Sequence, residues 1–183
     1  MPEDLKDGTT EGKAISRRKA RRKIFEILFE MSQRRGSSVA EMLKRCREMH
    51  ADERPIGESD PVKFSPEDDE NFVVGKMSLN NLLFIESICK GTTEHREEID
   101  KCLQDYPWEW SFDRIGAPER TILRMALYEL VFMDTPYKIV INEALDLAKT
   151  YGERDANKFL NGILGSVVKD LPKLREKLCS EAN

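Results

Sequence analysis

The sequence predicts an all-α fold of seven or eight helices joined by short links, one of them long. Three observations predict it. Apolar residues recur at i, i+3, i+4 and i+7 in one segment after another, no stretch alternates apolar and polar residues as a strand would, and helix start and stop signals fall between the apolar stripes. Charged residues make up 35% of the 183 and hydrophobic residues 39%, a balance suited to amphipathic helices with broad solvated faces.

Taken in order, residues 1–15 are polar and read as a disordered tail. Ser16 caps a helix that runs to about Arg34, with Ile24, Ile27, Leu28 and Met31 as its apolar stripe. Gly36 ends it. Ser37 or Ser38 caps a second helix, with Glu41 placed for a capping box and Val39, Met42, Leu43 and Cys46 on one side. Pro55, Gly57, Pro61 and Pro66 make residues 51–66 a long acidic loop, because proline removes an amide donor and restricts its predecessor. Ser65-Pro66-Glu67-Asp68 opens a helix to Lys90, stopped by Gly91. Thr92 or Thr93 caps the next, ending near Gln104, and Tyr106-Pro107-Trp108 is a turn. Ala117-Pro118-Glu119 starts a helix to about Asp134 that is apolar nearly all round, which marks it as central and buried. A helix over 138–151 ends at Gly152 as a C′ residue, and Asp155 caps a further helix with the stripe Leu160, Ile163, Leu164, Val167 and Val168. Gly162 and Gly165 lie in that stripe and permit close packing. Pro172 breaks the helix, leaving a short tail helix over 173–183.

Catalysis finds little support. No glycine-rich phosphate loop follows a strand, and no nucleophile sits beside a base. His95 lies on the exposed side of its helix among glutamates, and His50 lies near the proline loop. The four cysteines, Cys46, Cys89, Cys102 and Cys179, form no CxxC pair and meet no zinc spacing, so no metal or cofactor is expected and the thiols read as reduced, in a cytoplasmic protein. No segment approaches the ~20 apolar residues of a membrane span, and no apolar region follows the N-terminal charges as in a secretory signal.

The net charge of −4 conceals a polarised chain. Lys13, Arg17, Arg18, Lys19, Arg21, Arg22 and Lys23 occupy one stretch without an acid, while acids concentrate near residues 53–70. On a helix, Arg17, Arg18, Arg21 and Arg22 stack over two turns. Guanidinium groups bind phosphate in bidentate fashion and stack on bases. Arg21, Phe25 and Phe29 share one side, the pairing of arginine with aromatics that suits unstacked single-stranded RNA. An acidic membrane, an acidic protein partner and a merely solvated face remain open readings of the same residues, and both phenylalanines also fit a buried core. Phe159, flanked by Asp155, Asn157, Lys158 and Asn161, fits either a docking surface or the rim of the core. Arg124 and Glu129, in the buried helix, are costly unless paired and read as an internal network with Asn142 and Glu143 of the next helix.

Three segments carry a resemblance. Ile122 to Leu130 (ILRMALYEL), Pro136 to Ala144 (PYKIVINEA), and Leu147-Ala148-Lys149 with Tyr151-Gly152 and Lys158 to Leu164 (KFLNGIL) resemble the bacterial transcription antitermination factor NusB family, and Arg18-Lys19-Ala20-Arg21 resembles its arginine-rich start. The likeness covers residues 16–34 and 78–170. It implies a domain over 16–172 of two small helical bundles packed together, about seven helices in all, the N-terminal bundle at about 16–90 and the C-terminal at about 92–172. It implies binding to the boxA element of ribosomal RNA leader transcripts, pairing with the small-subunit ribosomal protein NusE, and action with NusA, NusG and RNA polymerase. By position, the implied RNA contacts are Arg17, Arg18, Arg21, Phe29 and Phe159, with Asp155 at the edge. The resemblance implies an acid at position 22; Arg22 departs from it and strengthens the basic face. The 50–77 region is longer and more acidic than the resemblance implies. Arg18→Ala with Arg21→Ala is expected to weaken RNA binding without unfolding the chain.

Two other readings stay open: an interaction module or homodimer without RNA contact, and a stand-alone relative of the N-terminal domain of ribosomal RNA methyltransferases. Against the second, the sequence ends at Asn183 without room for a methyl-donor-binding α/β domain.

Overall fold

Six helices run through the described part of this computed structural model: α1 (Arg17–Gln33), α2 (Leu79–Glu94), α3 (Arg96–Gln104), α4 (Ala117–Phe132), α5 (Tyr137–Tyr151) and α6 (Ala156–Glu181). The described residues are 16–34, 38–41, 44, 79–106, 115–133 and 135–181, and no strand occurs among them. The expected tail over 1–15, the loop over 51–66, the helix start at Ser65, His50, Cys46 and the turn beyond Tyr106 lie outside the described residues.

Local sequence signals set some of the starts. Ser16 Oγ accepts the Lys19 amide at 3.4 Å to cap α1. At residues 38–41 the capping box forms in both directions: Ser38 Oγ accepts from the Glu41 amide at 3.2 Å, and Glu41 Oε2 accepts from the Ser38 amide at 3.4 Å. Pro118 occupies the first turn of α4, where its missing amide is no loss.

Helix α4 is the spine. It packs against each of the other five helices, and Ile122, Leu123, Leu127 and Leu130 on it are fully buried. Both groups of helices therefore share one core. The expected boundary between bundles, at residues 90 to 92, falls inside α2.

Three helix ends differ from expectation. Gly91 does not stop α2, which continues to Glu94. A Cβ at Gly91 would stand 2.0 Å from Tyr128 Cζ, so this glycine admits the Tyr128 ring of α4 rather than ending a helix. The chain instead bends at His95, which is half-buried rather than exposed, stacked on Phe132 at 4.3 Å and with its Nδ1 3.2 Å from Glu98 Oε2. Pro172 lies inside α6, which runs on to Glu181, so no separate tail helix exists. The segment after the proline is held down by Leu178, which is buried, and by Arg175, whose Nε and Nη2 donate to the Leu130 carbonyl at 3.1 and 2.9 Å. Those bonds also satisfy a carbonyl of the last turn of α4. Gly162 and Gly165 make no close approach, since a Cβ at either would meet open space.

Candidate nucleic-acid interface

The four arginines of the basic stretch do not form one face. A helix turns about 100° per residue, so they split into two ladders of i, i+4 pairs. Arg17 and Arg21 face α2, where both guanidinium groups lie over the Phe84 ring, at 4.2 and 5.3 Å from its centre. Arg18 and Arg22 face α5. Arg18 Nη2 bonds Asp146 Oδ2 at 2.5 Å, and Arg22 Nε donates to the Tyr151 hydroxyl at 2.8 Å.

Arg21 is buried by this arrangement. It is only 6% exposed, and its Nε and Nη2 bind the two carboxylate oxygens of Glu129, which is more deeply buried still. The guanidinium joins α1 to α4. The internal network anticipated around Arg124 and Glu129 exists, but its partners come from α1 and α3 rather than from Asn142 and Glu143. Arg124 makes a bidentate pair with Asp100 at 2.6 and 2.7 Å.

The remaining sequence candidates reach the surface. The side chains of Arg18 and Arg22 are 66% and 60% exposed. Arg17 is exposed and donates to the Asn80 carbonyl at 3.2 Å. Phe29 is half-buried at the end of an aromatic row: its ring stacks on buried Phe25 at 5.6 Å, and Phe25 packs on Tyr151 at 4.4 Å.

Tyr151 links α1 to a second wall. It is the last residue of α5, followed by the turn 152–155 and then α6. Its hydroxyl takes the Arg22 bond and donates to Glu26 Oε1 at 3.3 Å. Burial raises the phenol above its ordinary pKa, with the Arg22 hydrogen bond opposing, so the proton needed for the Glu26 bond stays in place. The turn carries Asp155, exposed and at φ 70, with its carboxylate 3.0 Å from Lys158 Nζ. Gly152 ends α5, as expected, with extended backbone at φ −84 and ψ 165. Phe159, one turn into α6, is half-buried against the core. The structure thus brings Arg18, Arg22, Phe29 and the turn together around Tyr151, leaves Arg17 on the α2 side, and buries Arg21.

Sequence reading missed Tyr151 and Asp146. They sit at the end and on the outer side of a helix, where they read as ordinary amphipathic residues. A usable signal was the aromatic directly before Gly152. Among the described residues no group of three or more acidic, histidine or cysteine side chains could hold a metal, Cys89 and Cys102 are buried free thiols, and no helix is long and apolar enough to cross a membrane.

These features define an all-α protein with a composite basic and aromatic face at the junction of its first helix and the turn between its last two. The NusB family model matches residues 18–169, and the chain belongs to the NusB family. A transcription antitermination protein NusB from Streptomyces griseus is 35% identical over 164 residues, which cover 88% of this chain and 98% of that protein. One from Exiguobacterium is 47% identical over 88 residues, 48% of this chain and 69% of its own length. Among solved structures, T. maritima NusB matches with a TM-score of 0.66 at 26% identity, over 90% of this chain and 99% of that one. A crystal structure of the antitermination factors NusB and NusE in complex with double-stranded RNA matches with a TM-score of 0.61 at 25% identity, over 84% and 96%.

Proposed function

We propose that this chain is a transcription antitermination factor that binds boxA-type RNA of ribosomal RNA leader transcripts together with NusE, and works in the cytoplasm with NusA, NusG and RNA polymerase. The observation that carries the reading is the exposed Arg18 and Arg22 ladder set against Tyr151 and the Asp155–Phe159 turn. Two guanidinium groups offer phosphate contacts, and Phe29 and Phe159 on either side offer partly exposed rings for unstacked bases. RNA contacts are assigned to Arg18, Arg22, Phe29 and Phe159, with Arg17 and Asp155 at the edges.

Membership of the NusB family supports this reading over a homodimer or interaction module that never meets RNA, and a solved relative in complex with NusE and double-stranded RNA supports the pairing. The function is binding, with no catalytic step, and a methyl-transfer assay on the purified chain is expected to be blank. The test is fluorescence anisotropy of a labelled boxA RNA titrated with the chain, with and without NusE. Affinity is expected to rise when NusE is present and to fall with salt. An affinity indifferent to NusE would overturn the partnership and leave only generic RNA binding.

A further inference from the structure

Glu119, in the first turn of α4, lies beneath the second wall. It is only 4% exposed. Its Oε1 accepts the backbone N–H of Glu153 at 2.7 Å, across 34 residues of sequence. Its Oε2 is buried without a hydrogen-bond partner. Two glycines enclose the carboxylate: a Cβ at Gly116 would stand 2.2 Å from Oε2, and one at Gly152 would stand 3.1 Å from Oε1 and 2.7 Å from both the Ala148 carbonyl and Ala156 Cβ. The Gly116 backbone thus closes over Oε2 where only glycine fits, and Gly152, kept small by the Ala148 carbonyl and Ala156, brings the turn down beside Oε1.

The bond holds more than one amide. The Glu153 carbonyl in turn accepts the Ala156 amide at 3.0 Å, and the Asp155 carbonyl accepts the Phe159 amide at 3.2 Å. Ala156 begins α6, so pinning Glu153 fixes where that helix starts and which way Phe159 points. It also holds Asp155 at a positive φ, a conformation that costs free energy outside glycine and persists only where the surroundings impose it. A buried carboxylate with one oxygen unsatisfied is itself unfavourable, and a hydrophobic residue would fill the space at lower cost. The fold tolerates it at the one point where the turn needs an acceptor.

We propose that Glu119 is a positioning residue for RNA binding: it fixes the turn 152–155 and, through it, the placement of Asp155 and Phe159. The proposal rests on the RNA-binding reading of those residues. Reach rather than charge makes the bond, which separates three substitutions. Glu119→Gln keeps an acceptor at the same distance and is expected to bind within about twofold of wild type, whereas Glu119→Asp, one methylene short, and Glu119→Ala lose the bond and are expected to bind about tenfold more weakly.

The experiment is anisotropy of labelled single-stranded boxA RNA with the full chain, the fold of each variant being checked by circular dichroism. Phe159→Ala is expected to cost about tenfold, the scale of one lost stacking contact. Adding Glu119→Asp to Phe159→Ala should then cost less than about twofold more, whereas adding it to Arg18→Ala with Arg22→Ala should cost its full factor, because distant sites add and coupled ones do not. Glu119→Asp binding like wild type, Glu119→Gln failing like Glu119→Ala, or an undiminished Glu119→Asp factor on top of Phe159→Ala each overturns the proposal. If Glu119→Ala does not fold, the Asp and Gln pair still decides. A wild-type chain that does not bind the RNA overturns the function as well, while a Glu119 failure beside a working Arg18 and Arg22 site overturns this role alone.

Discussion

Arg21 and Arg22 are neighbours in the chain, carry the same group, and do opposite work. Arg21 turns into the junction of α1 and α4 and is closed over Glu129. Arg22 turns out toward α5 and holds the Tyr151 hydroxyl with most of its side chain in solvent. One residue of helical rotation separates a buried charge from one that lies mostly in solvent. A run of arginines in a sequence therefore measures potential, and the helix face decides how much of it reaches the surface.

The largest expected effect lies on the buried side. Removing one partner of a buried ion pair leaves the other desolvated and alone, at a cost of about 3–5 kcal/mol. Arg21→Ala and Glu129→Ala should each lower stability by that order in urea denaturation. Arg21→Met with Glu129→Leu, which removes both charges and keeps the volume, should recover most of the loss. Molecules of that double variant that fold should bind RNA nearly as wild type does. A clear loss of affinity there would return Arg21 to the interface and break the distinction between the neighbours. Arg18→Ala with Arg21→Ala would confound the two effects, which is why Arg18 and Arg22 make the cleaner pair.

On the exposed side the effect should appear in affinity and hardly in stability. Surface ion pairs such as Arg18 with Asp146 are worth about 0–1 kcal/mol, so Arg18→Ala with Arg22→Ala should leave the unfolding midpoint almost unmoved. If each arginine meets one phosphate, the slope of log affinity against log salt should fall by roughly 0.7 per arginine removed, or about 1.4 for the pair. A slope unchanged from wild type would remove these residues from the RNA site.

What the sequence made legible was local. The Ser16 cap, the reciprocal Ser38 and Glu41 box, the stripe Ile24, Ile27 and Leu28, and the burial of α4 all follow from residues within a turn or two of each other, and all are present. What stayed hidden was set by distant chain. Glu129 lies 108 residues from the Arg21 it binds. Glu119 reads in sequence as an acid favouring a helix start, and nothing near it announces the Glu153 amide. Gly91 and Pro172 look like breakers from their own conformational preferences, yet Tyr128 needs the space at one, and Arg175 with Leu178 holds the helix past the other. The residues proposed to bind RNA were legible as types; the burial of Arg21 was not, because its facing depends on where α4 packs.

The smallest expected effect asks whether the exposed part of α6 also serves a ligand. A Cβ at Gly165 would meet no atom within 4 Å, so packing does not require glycine there. In a helix interior, Gly costs about 0.5–1 kcal/mol relative to Ala through backbone entropy. Gly165→Ala should therefore stabilise the free chain by up to that amount, read as a higher urea midpoint with an unchanged slope. Gly162, one turn after Phe159 and equally open, should give a similar gain. The two positions differ in distance from the second wall: RNA affinity should stay constant for Gly165→Ala, while Gly162→Ala adds its methyl one helical turn from Phe159, into space that a bound base would enter. A gain in stability at both with a loss of affinity only at residue 162 would place the edge of the interface between them. A loss of stability at Gly165→Ala would mean that the open face is covered even in the free chain.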